Sequence, residues 1–312
     1  MKTDLALSGQ LLTDLFPQPC SPAEWEPYML SGEQVAKFRD NGFIHGVPLL
    51  TEPQLEVLRE QLAEMVDPQH EGHEFFYEYH TNESNNTETV LFHALGAWRV
   101  RPAYHDILWN PAFLMAAYQL LGQGFRLFHD QLFSKPARHG SVVAWHQDYS
   151  YWTWTRPMAH LTCWMGLDDV DTGNGCLYYV PGSHNWGLID KLDLAGDMDA
   201  VRDLLTPAQV DNFERKVPIE MKAGEASFHH PLLMHGSYEN TSSRKRRATL
   251  INVFADGVIS NRQDDSTDSP GTDNYPRVPQ GEKMGGAYYP LLLDPRKQFG
   301  NFLESVPTVD TV

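Results

Sequence analysis

The chain has 312 residues, of which 41% are apolar and 21% are charged, and its net charge at pH 7 is −17. These proportions are ordinary for a globular protein, and the large negative charge argues against nucleic acid or an anionic membrane surface as a partner. The three cysteines show no CxxC spacing, which argues against a zinc cluster of thiolates and favours reduced thiols.

No segment approaches the ~18 consecutive apolar residues that are needed to cross a bilayer. The first residues lack the apolar stretch and cleavage site of a secretory signal, and the last three are not a peroxisomal tripeptide. We therefore expect a cytoplasmic protein. The sequence leaves the oligomeric state open between monomer and homodimer.

The N-terminal part, about residues 1–124, predicts helices with recognisable starts. Capping boxes begin at Ser31 and at Thr51, and each precedes apolar residues on one helical face. Asn110-Pro111 has the pattern of an N-cap followed by proline at the first helical position. We expect these helices to precede the main domain core and pack on it.

From about residue 125 the pattern changes to short strands with Gly, Pro, Asn or Asp between them. Eight segments read as strands: FRLFHDQLFSKP, SVVAWHQD, AHLTCWMGLDDV, GCLYYVPGSH, KVPIEM, EASFHH, LLMHGSY and RATLINVF. They predict a mainly β fold with a double-stranded β-helix core, jelly-roll or cupin-like, at about residues 125–256.

Two further segments are more polar. An insertion at about residues 188–215 contains Thr206-Pro207 and predicts a helix. Residues 257–312 include QDDSTDSPGTDN and predict a C-terminal loop or lid followed by a tail. Since no linker is recognisable, we expect residues 1–312 to form one domain.

Candidate metal ligands occur in the motif WHQD. Side chains two apart on a strand share a face, so His146 and Asp148 can both point into a barrel. Together with His235 from a later strand they would form a 2-His-1-carboxylate triad, which leaves positions on Fe(II) open for a chelating co-substrate and O2. Taken alone, His-x-Asp is a weak signal, because a chain with 14 histidines contains about one by chance. A histidine and an aspartate that satisfy local hydrogen bonds are the alternative.

The basic cluster RKRR offers a candidate anion-binding group. Such clusters are usually solvated, but the ATLINVF that follows reads as a strand, so alternation sends Arg246 to one face and Arg247 to the other. A buried guanidinium matches a carboxylate with two hydrogen bonds. Ser237, on the same face as His235, could donate to that carboxylate as well.

The stretch from Lys135 to Asp256 resembles the phytanoyl-CoA dioxygenase family, which also includes ectoine hydroxylase and several natural-product oxygenases. The matching pieces are FSKP, WHQDYSYW, NGCLYYVPGSH and FHHPLLMHGSYENTSSRKRRA. The resemblance implies a double-stranded β-helix that uses Fe(II), 2-oxoglutarate and O2, with decarboxylation of the co-substrate to succinate and CO2.

Carried onto this sequence, the family pattern implies roles for individual residues. The implied metal ligands are His146, Asp148 and His235. The implied co-substrate residues are Arg246, Ser237, Trp164, Gln131 and Thr162. A basic residue is also implied near the co-substrate in the segment of Arg99, for which Arg101 competes.

Other histidines and aromatic residues near these motifs have simpler interpretations. His229 and His230 lack a following Gly-Ser pair, so we interpret them as core residues or as neighbours of the ligands, and His184 as a turn residue. The aromatic run Tyr149–Trp154 is compatible with core packing and with a substrate wall.

The favoured function is an oxygenase that hydroxylates an unactivated C–H bond of a small organic substrate. Ring closure, desaturation and epoxidation use the same iron centre and stay open. A non-redox cupin-type metalloenzyme would have no use for Arg246 and Ser237, a catalytically silent barrel would have lost its ligands, and a halogenase would lack the carboxylate of Asp148. The acidic composition favours a free small metabolite over an acyl-CoA, a polyanion, although acyl-CoA 2-hydroxylation is the alternative within the family.

Overall fold

The computed structural model describes residues 3–263, 276–300, 302 and 306–309. Its α-helices are α1 (Gly32–Asn41), α2 (Glu52–Met65), α3 (Pro102–Asp106), α4 (Pro111–Leu121), α5 (Pro207–Phe213) and α6 (Pro295–Phe299). Its strands are β1 (Phe43–Pro48), β2 (Glu78–His80), β3 (Phe92–Leu95), β4 (Phe125–Lys135), β5 (Val143–His146), β6 (Thr155–Arg156), β7 (His160–Gly166), β8 (Leu177–Tyr179), β9 (Val217–Ile219), β10 (Glu225–His229), β11 (His235–Ser237), β12 (Arg246–Ala255), β13 (Ile259–Ser260) and β14 (Leu291–Leu293). Short 3₁₀ helices include Ala97–Arg99, Asp148–Tyr151, Ser183–Trp186 and Ala200–Leu204.

The N-terminal helices begin where their capping residues predict. The hydroxyl of Ser31 accepts from the backbone N–H of Gln34, whose side chain accepts in turn from the N–H of Ser31. The side chain of Asn110 accepts from the N–H of Ala112 at the start of α4. These contacts satisfy donors that the first turn of a helix leaves unpaired.

The strands form two main antiparallel sheets, which confirms the mainly β fold. The large sheet has the order β1-β10-β7-β12-β4-β3-β2, with β14 also paired to β4, and the small sheet has the order β5-β11-β8-β9. All eight strands that the sequence predicts are present, as β4, β5 and β7 to β12.

Three additional strands lie within the part of the chain that was expected to be helical. β1 pairs with β10, β3 pairs with β4, and β2 pairs with β3, so these strands extend the large sheet at both ends. They are three to six residues long, too short for their alternation to stand out from the surrounding turns.

The C-terminal part is more ordered than a loop or lid. β14 pairs with β4, and the ring of Phe299 in α6 packs on that of Trp25, with centroids 4.9 Å apart. The acidic stretch QDDSTDSPGTDN lies outside the described residues from its second residue onward. The insertion at 188–215 contains α5 as expected, and no helix in the described ranges is long and apolar enough to cross a membrane.

Paired residues on one face of the large sheet form two rows that run across the strands. What we call the Gln131 row crosses β2, β3, β4, β12 and β7 through Glu78, Leu95, Gln131, Leu250 and Trp164. The adjacent His129 row crosses β4, β12, β7 and β10 through His129, Asn252, Thr162 and His229. Because strand residues two apart share a face, both rows face the same side of the sheet.

Candidate metal centre and co-substrate pocket

His146, Asp148 and His235 converge on one point. His146 ends β5 and His235 begins β11, and the two residues are directly opposite each other in the antiparallel pair. Each histidine directs Nε2 towards Oδ1 of Asp148, at 3.5 Å from His146 and 3.6 Å from His235. One ligand atom from each residue lies within 4.8 Å of the other two, a spacing that suits a single metal ion.

Asp148 reaches this point by a different local structure from the strand that was expected. β5 ends at His146, and Asp148 is the first residue of the 3₁₀ helix Asp148–Tyr151. The intervening Gln147 has extended backbone angles, φ −112° and ψ 131°. The strand alternation therefore continues just far enough to place the carboxylate beside the imidazole.

Backbone carbonyls fix the tautomers of both histidines. Nδ1 of His146 lies 2.7 Å from the carbonyl oxygen of Ala144, and Nδ1 of His235 lies 2.9 Å from that of Leu233. A carbonyl oxygen can only accept, so each Nδ1 carries the proton and each Nε2 keeps its lone pair. Burial, reinforced by His146, holds the pKa of His235 well below its usual value, so the neutral ligand form is favoured.

Two side chains donate hydrogen bonds to Oδ2, the second carboxylate oxygen of Asp148. Thr162 donates its hydroxyl to Oδ2 at 2.7 Å, and His229 donates from Nε2 to the same atom at 3.0 Å. Burial opposes ionisation of Asp148, but the neighbouring imidazoles of His235, His146 and His229 hold its pKa well below the usual value. Thr162, which the family pattern places at the co-substrate site, instead contacts the carboxylate of Asp148.

The contacts of His229 continue into the core. Its Nδ1 lies 2.9 Å from the hydroxyl of Tyr179, which lies 2.8 Å from the hydroxyl of Ser227. With a neutral imidazole, Ser227 donates to Tyr179, Tyr179 donates to Nδ1 and Nε2 donates to Asp148. The sequence interpretation of His229 as a core residue or a neighbour of the ligands agrees with this placement.

His146, Asp148 and His235 line a cavity of about 310 Å³ between the two sheets. Gln131, Trp164 and Arg246 line it, as the sequence predicts, together with Leu250. Arg246 is 1% exposed, and its guanidinium lies over the ring of Trp164 at 4.8 Å.

Within the described part of the chain, Arg246 has no carboxylate at ion-pair distance, and its Nε has no hydrogen-bond partner. Burial lowers the pKa of Arg246 to about 10. A buried, unpaired guanidinium is costly to a fold, and a ligand carboxylate would supply the missing partner.

Arg247 points the other way, as strand alternation predicts. Its Nη2 donates to Oδ1 of Asp168 at 2.6 Å, and its Nε donates to Oδ2 at 2.9 Å. The two adjacent arginines therefore differ in kind, because Arg246 faces the cavity whereas Arg247 forms an ion pair with its own chain.

Ser237 does not line the cavity, and its hydroxyl contacts a buried lysine that is not among the residues predicted from the sequence. Lys135 is fully buried opposite Arg246 in the β4–β12 pair, and its Nζ donates to the Ser237 hydroxyl at 2.5 Å and to the Tyr238 carbonyl at 2.7 Å. Ser237 donates in turn to the carbonyl of Gly175 at 3.0 Å. Burial and the nearby Arg246 hold the pKa of Lys135 well below its usual value. Its place two residues beyond Phe133 on the inner face of β4 was the available signal.

Neither Arg99 nor Arg101 lines the cavity, which corrects the expectation of a basic residue beside the co-substrate. Arg99 pairs with Asp4 at 2.5 Å, and Arg101 pairs with Glu64 at 2.9 Å. Arg99 therefore binds near the N-terminus and Arg101 binds α2, and neither side chain faces the cavity.

The aromatic run divides between the cavity and the core. Tyr151, Trp152 and Trp154 line the cavity, whereas the hydroxyl of Tyr149 donates to the Thr155 carbonyl at 2.6 Å. Tyr151 donates to the carbonyl of Leu192, which joins the insertion to the cavity wall.

Further lining residues, none of them predicted from the sequence, lie outside the predicted core strands. They include Glu78, Glu83 and His93 near β2 and β3, and Lys191, Leu192 and Asp193 in the insertion. Recognising β2 and β3 as strands would have indicated that Glu78 and His93 share the inner face.

The chain is similar in sequence to known phytanoyl-CoA dioxygenases. The family model for phytanoyl-CoA dioxygenase (PhyH) matches residues 38–248. A phytanoyl-CoA dioxygenase of Arabidopsis thaliana is 35% identical over 158 residues, covering 49% of this chain and 52% of that relative. A peroxisomal phytanoyl-CoA dioxygenase of Bos taurus is 32% identical over 140 residues, covering 43% and 41%. The match thus spans about half the length of each of these two relatives, or less.

A solved structure has the same fold. The non-haem alpha-ketoglutarate-dependent carbocyclase SnoK from nogalamycin biosynthesis superposes with a TM-score of 0.68 at 22% identity, covering 88% of this chain and 99% of that one. This similarity confirms the predicted jelly-roll architecture.

Proposed function

Because the chain belongs to the phytanoyl-CoA dioxygenase family, we propose that it is an Fe(II)- and 2-oxoglutarate-dependent dioxygenase acting on a small organic substrate. When bound, iron and the co-substrate would activate O2 to hydroxylate or otherwise oxidise an unactivated C–H bond, with release of succinate and CO2. One observation supports the proposal above all. His146, Asp148 and His235 line the same cavity as Arg246, a buried arginine that lacks a carboxylate partner among the described residues.

The donor set is suited to Fe(II). His146 and His235 each present Nε2, and Asp148 presents Oδ1 while Thr162 and His229 occupy its other oxygen. Two imidazoles and one carboxylate on one side of an octahedral ion leave three positions for a chelating 2-oxo acid and O2.

The co-substrate would be held by residues deeper in the cavity. Arg246 offers its guanidinium to the distal carboxylate, and the ring of Trp164 supports that guanidinium through a cation–π contact. Gln131 and Leu250 neighbour Trp164 in the Gln131 row and complete the wall. A cupin-type metalloenzyme without 2-oxoglutarate would have no use for this buried cation.

The cavity lining favours a free metabolite over an acyl-CoA. Glu78, Glu83 and Asp193 contribute carboxylates, and Tyr151, Trp152 and Trp154 contribute aromatic surface. The phosphates of coenzyme A normally require a basic site, whereas aromatic rings suit apolar or cationic groups.

Anaerobic titration of the full chain with Fe(II) and 2-oxoglutarate tests the proposal. We expect the charge-transfer absorption of an Fe(II)–2-oxo acid chelate, and succinate formation once O2 and a substrate are added. Asp148→Ala should lose both signals because one of three protein ligands is removed, whereas His230→Ala should keep them. Metal binding without the absorption band would favour the non-redox cupin alternative.

We also propose a cytoplasmic location. All three cysteines are free, and Cys163 and Cys176 are buried, which suits a reducing compartment. Since the bovine relative is peroxisomal by name, imaging of a tagged protein against a peroxisomal marker decides between the two compartments.

A further inference from the structure

One wall of the cavity carries a group of ionisable side chains that the metal and co-substrate roles leave unused. Glu78 lies on β2, Glu83 follows that strand, and His93 lies on β3. Nδ1 of His93 lies 2.7 Å from Oε2 of Glu83, and its ring stacks on that of Phe133, with centroids 4.4 Å apart and planes 8° apart. The imidazole is thereby fixed, and Glu83 has a counter-charge when His93 is protonated.

Glu78 lacks a comparable partner. Its side chain is 17% exposed, and its sole ion-pair contact within the described ranges is His80, at 3.6 Å, which is itself 43% exposed. No side-chain hydrogen bond is made by Glu78 in that part of the chain, and burial raises its pKa to about 7. A carboxylate on a cavity wall without a close donor is stabilised by a cationic or hydrogen-bonding ligand.

His93 adds a second unpaired atom to the same wall. The residue is 6% exposed, and among the described residues its Nε2 has no hydrogen-bond partner. The wall thus offers a ligand one carboxylate and one imidazole nitrogen.

Register places Glu78 in line with the co-substrate residues. It belongs to the Gln131 row, two strands away from Gln131, which corresponds to roughly 10 Å at the usual strand spacing. Glu78 also lines the same cavity as His146, Asp148 and His235, so one small molecule can contact Glu78 and face these three residues.

The remaining charges and rings of the cavity favour a cation over an anion. Among the described residues, Lys191 is the one lysine on the lining, and its Nζ lies over the ring of Tyr151 at 4.8 Å. Asp193 adds a further carboxylate, and Trp152 adds a ring face that attracts cations.

We propose that Glu78, supported by the Glu83–His93 pair, forms a subsite that binds the protonated amine of the substrate. The substrate class is then an amine on an apolar or aromatic skeleton, with the skeleton against the aromatic run and a C–H bond directed at the metal. This inference rests on the proposed function for its location, but amine binding does not require turnover.

A matched series of probes tests the subsite: 4-phenylbutylamine, 4-phenylbutan-1-ol and 4-phenylbutyrate, which share a skeleton and differ in charge. Binding to the full chain is measured by isothermal titration calorimetry at a pH of about 8, where Glu78 is ionised, under anaerobic conditions with Fe(II) and saturating 2-oxoglutarate so that Arg246 is not open to the carboxylate probe. We expect the amine to bind about tenfold more tightly than the alcohol, and the carboxylate to bind most weakly.

Variants assign the preference to a residue. Glu78→Gln should abolish the advantage of the amine over the alcohol, whereas Glu88→Gln, an exposed glutamate from the same segment, should keep it. Equal binding of the three probes by the wild type, a preference for the carboxylate, or a retained amine preference in Glu78→Gln would each overturn the proposal.

The wild-type order of affinities tests the subsite even if Glu78→Gln does not fold. Since no 2-oxoglutarate is consumed in these titrations, the two proposals fail separately. Amine-selective binding without any 2-oxoglutarate turnover would overturn the proposed function alone, and turnover without amine selectivity would overturn the subsite alone.

Discussion

His229 donates a hydrogen bond from Nε2 to Oδ2 of Asp148 at 3.0 Å, and its other ring nitrogen contacts Tyr179 at 2.9 Å. The metal carboxylate is therefore oriented by a side chain that is itself fixed in the core. Partners of this kind raise metal affinity because they hold the ligand in the binding geometry.

We expect His229→Ala to weaken Fe(II) binding by about 10- to 100-fold while the fold is retained. Equilibrium dialysis of Fe(II) under anaerobic conditions measures the effect. His230→Ala is the matched control, because this adjacent histidine accepts from the N–H of Leu232 and does not contact Asp148. Equal losses in the two variants would contradict the role given to His229.

Substitution of each of the two adjacent arginines should distinguish a role in co-substrate binding from a role in the stability of the fold. Arg246→Ala removes the buried cation from the cavity, and we expect apparent 2-oxoglutarate affinity to fall by ~30- to 4000-fold, or ~2–5 kcal/mol. Arg247→Ala removes the ion pair with Asp168 and should leave that affinity within a few fold. Titration of 2-oxoglutarate against the iron-loaded variants provides the measurement, and similar losses would show that Arg246 has no special role.

Gly175 should be more sensitive to substitution than another glycine with the same backbone conformation. Gly175 and Gly182 both have positive φ, 82° and 78°, so Gly→Ala strains either one. A Cβ at Gly175 would also lie 2.7 Å from the carbonyl oxygen of Tyr238, beside Lys135, whereas a Cβ at Gly182 would meet no atom within 4 Å.

We therefore expect Gly175→Ala to lower the free energy of unfolding by about 1–3 kcal/mol more than Gly182→Ala does. Urea denaturation of the two variants measures the difference. Equal destabilisation would show that the contact with Tyr238 relaxes without cost.

Glu78 should make stability depend on pH. Its pKa is raised from 4.5 to about 7 in the folded chain, so the folded state binds more protons than the unfolded state between these values. The associated stability is fully present below the unfolded pKa and is lost as pH rises through about 7.

The difference between wild type and Glu78→Gln isolates this contribution. Urea denaturation at about pH 5 and about pH 8 should show that the wild type loses more free energy of unfolding over this interval than the variant. Parallel profiles would mean that Glu78 titrates as an exposed carboxyl group.

The predictable parts of the fold and site are those with local signals. Ser31 and Asn110 mark helix starts through contacts within a few residues, and the alternation around Arg246 and Arg247 survives in the structure because β12 is long. The convergence of His146 with His235 needed a register between β5 and β11 that no local pattern contains, and there the family resemblance supplied the link.

The missed parts depend on tertiary contacts. Thr162 and Ser237 are on the expected strands. Their hydroxyls form hydrogen bonds with Asp148 and Lys135, respectively, which are distant in sequence. Arg99 was assigned by its position in the chain, whereas the partner that fixes it is Asp4. β2 and β3 are short strands, and their contribution to the cavity is visible once the large sheet has formed.

Among the described strands, β2 lies at the edge of the large sheet and pairs with β3 alone, whereas β4 and β7 have neighbours on both sides. A replacement on β2 therefore disturbs one ladder of backbone hydrogen bonds, and a replacement on β4 or β7 disturbs two. Side chains of the cavity wall are therefore unequally constrained. Exchanges on β2 can change which substrate is bound, with less disturbance of backbone pairing than exchanges on β4 or β7.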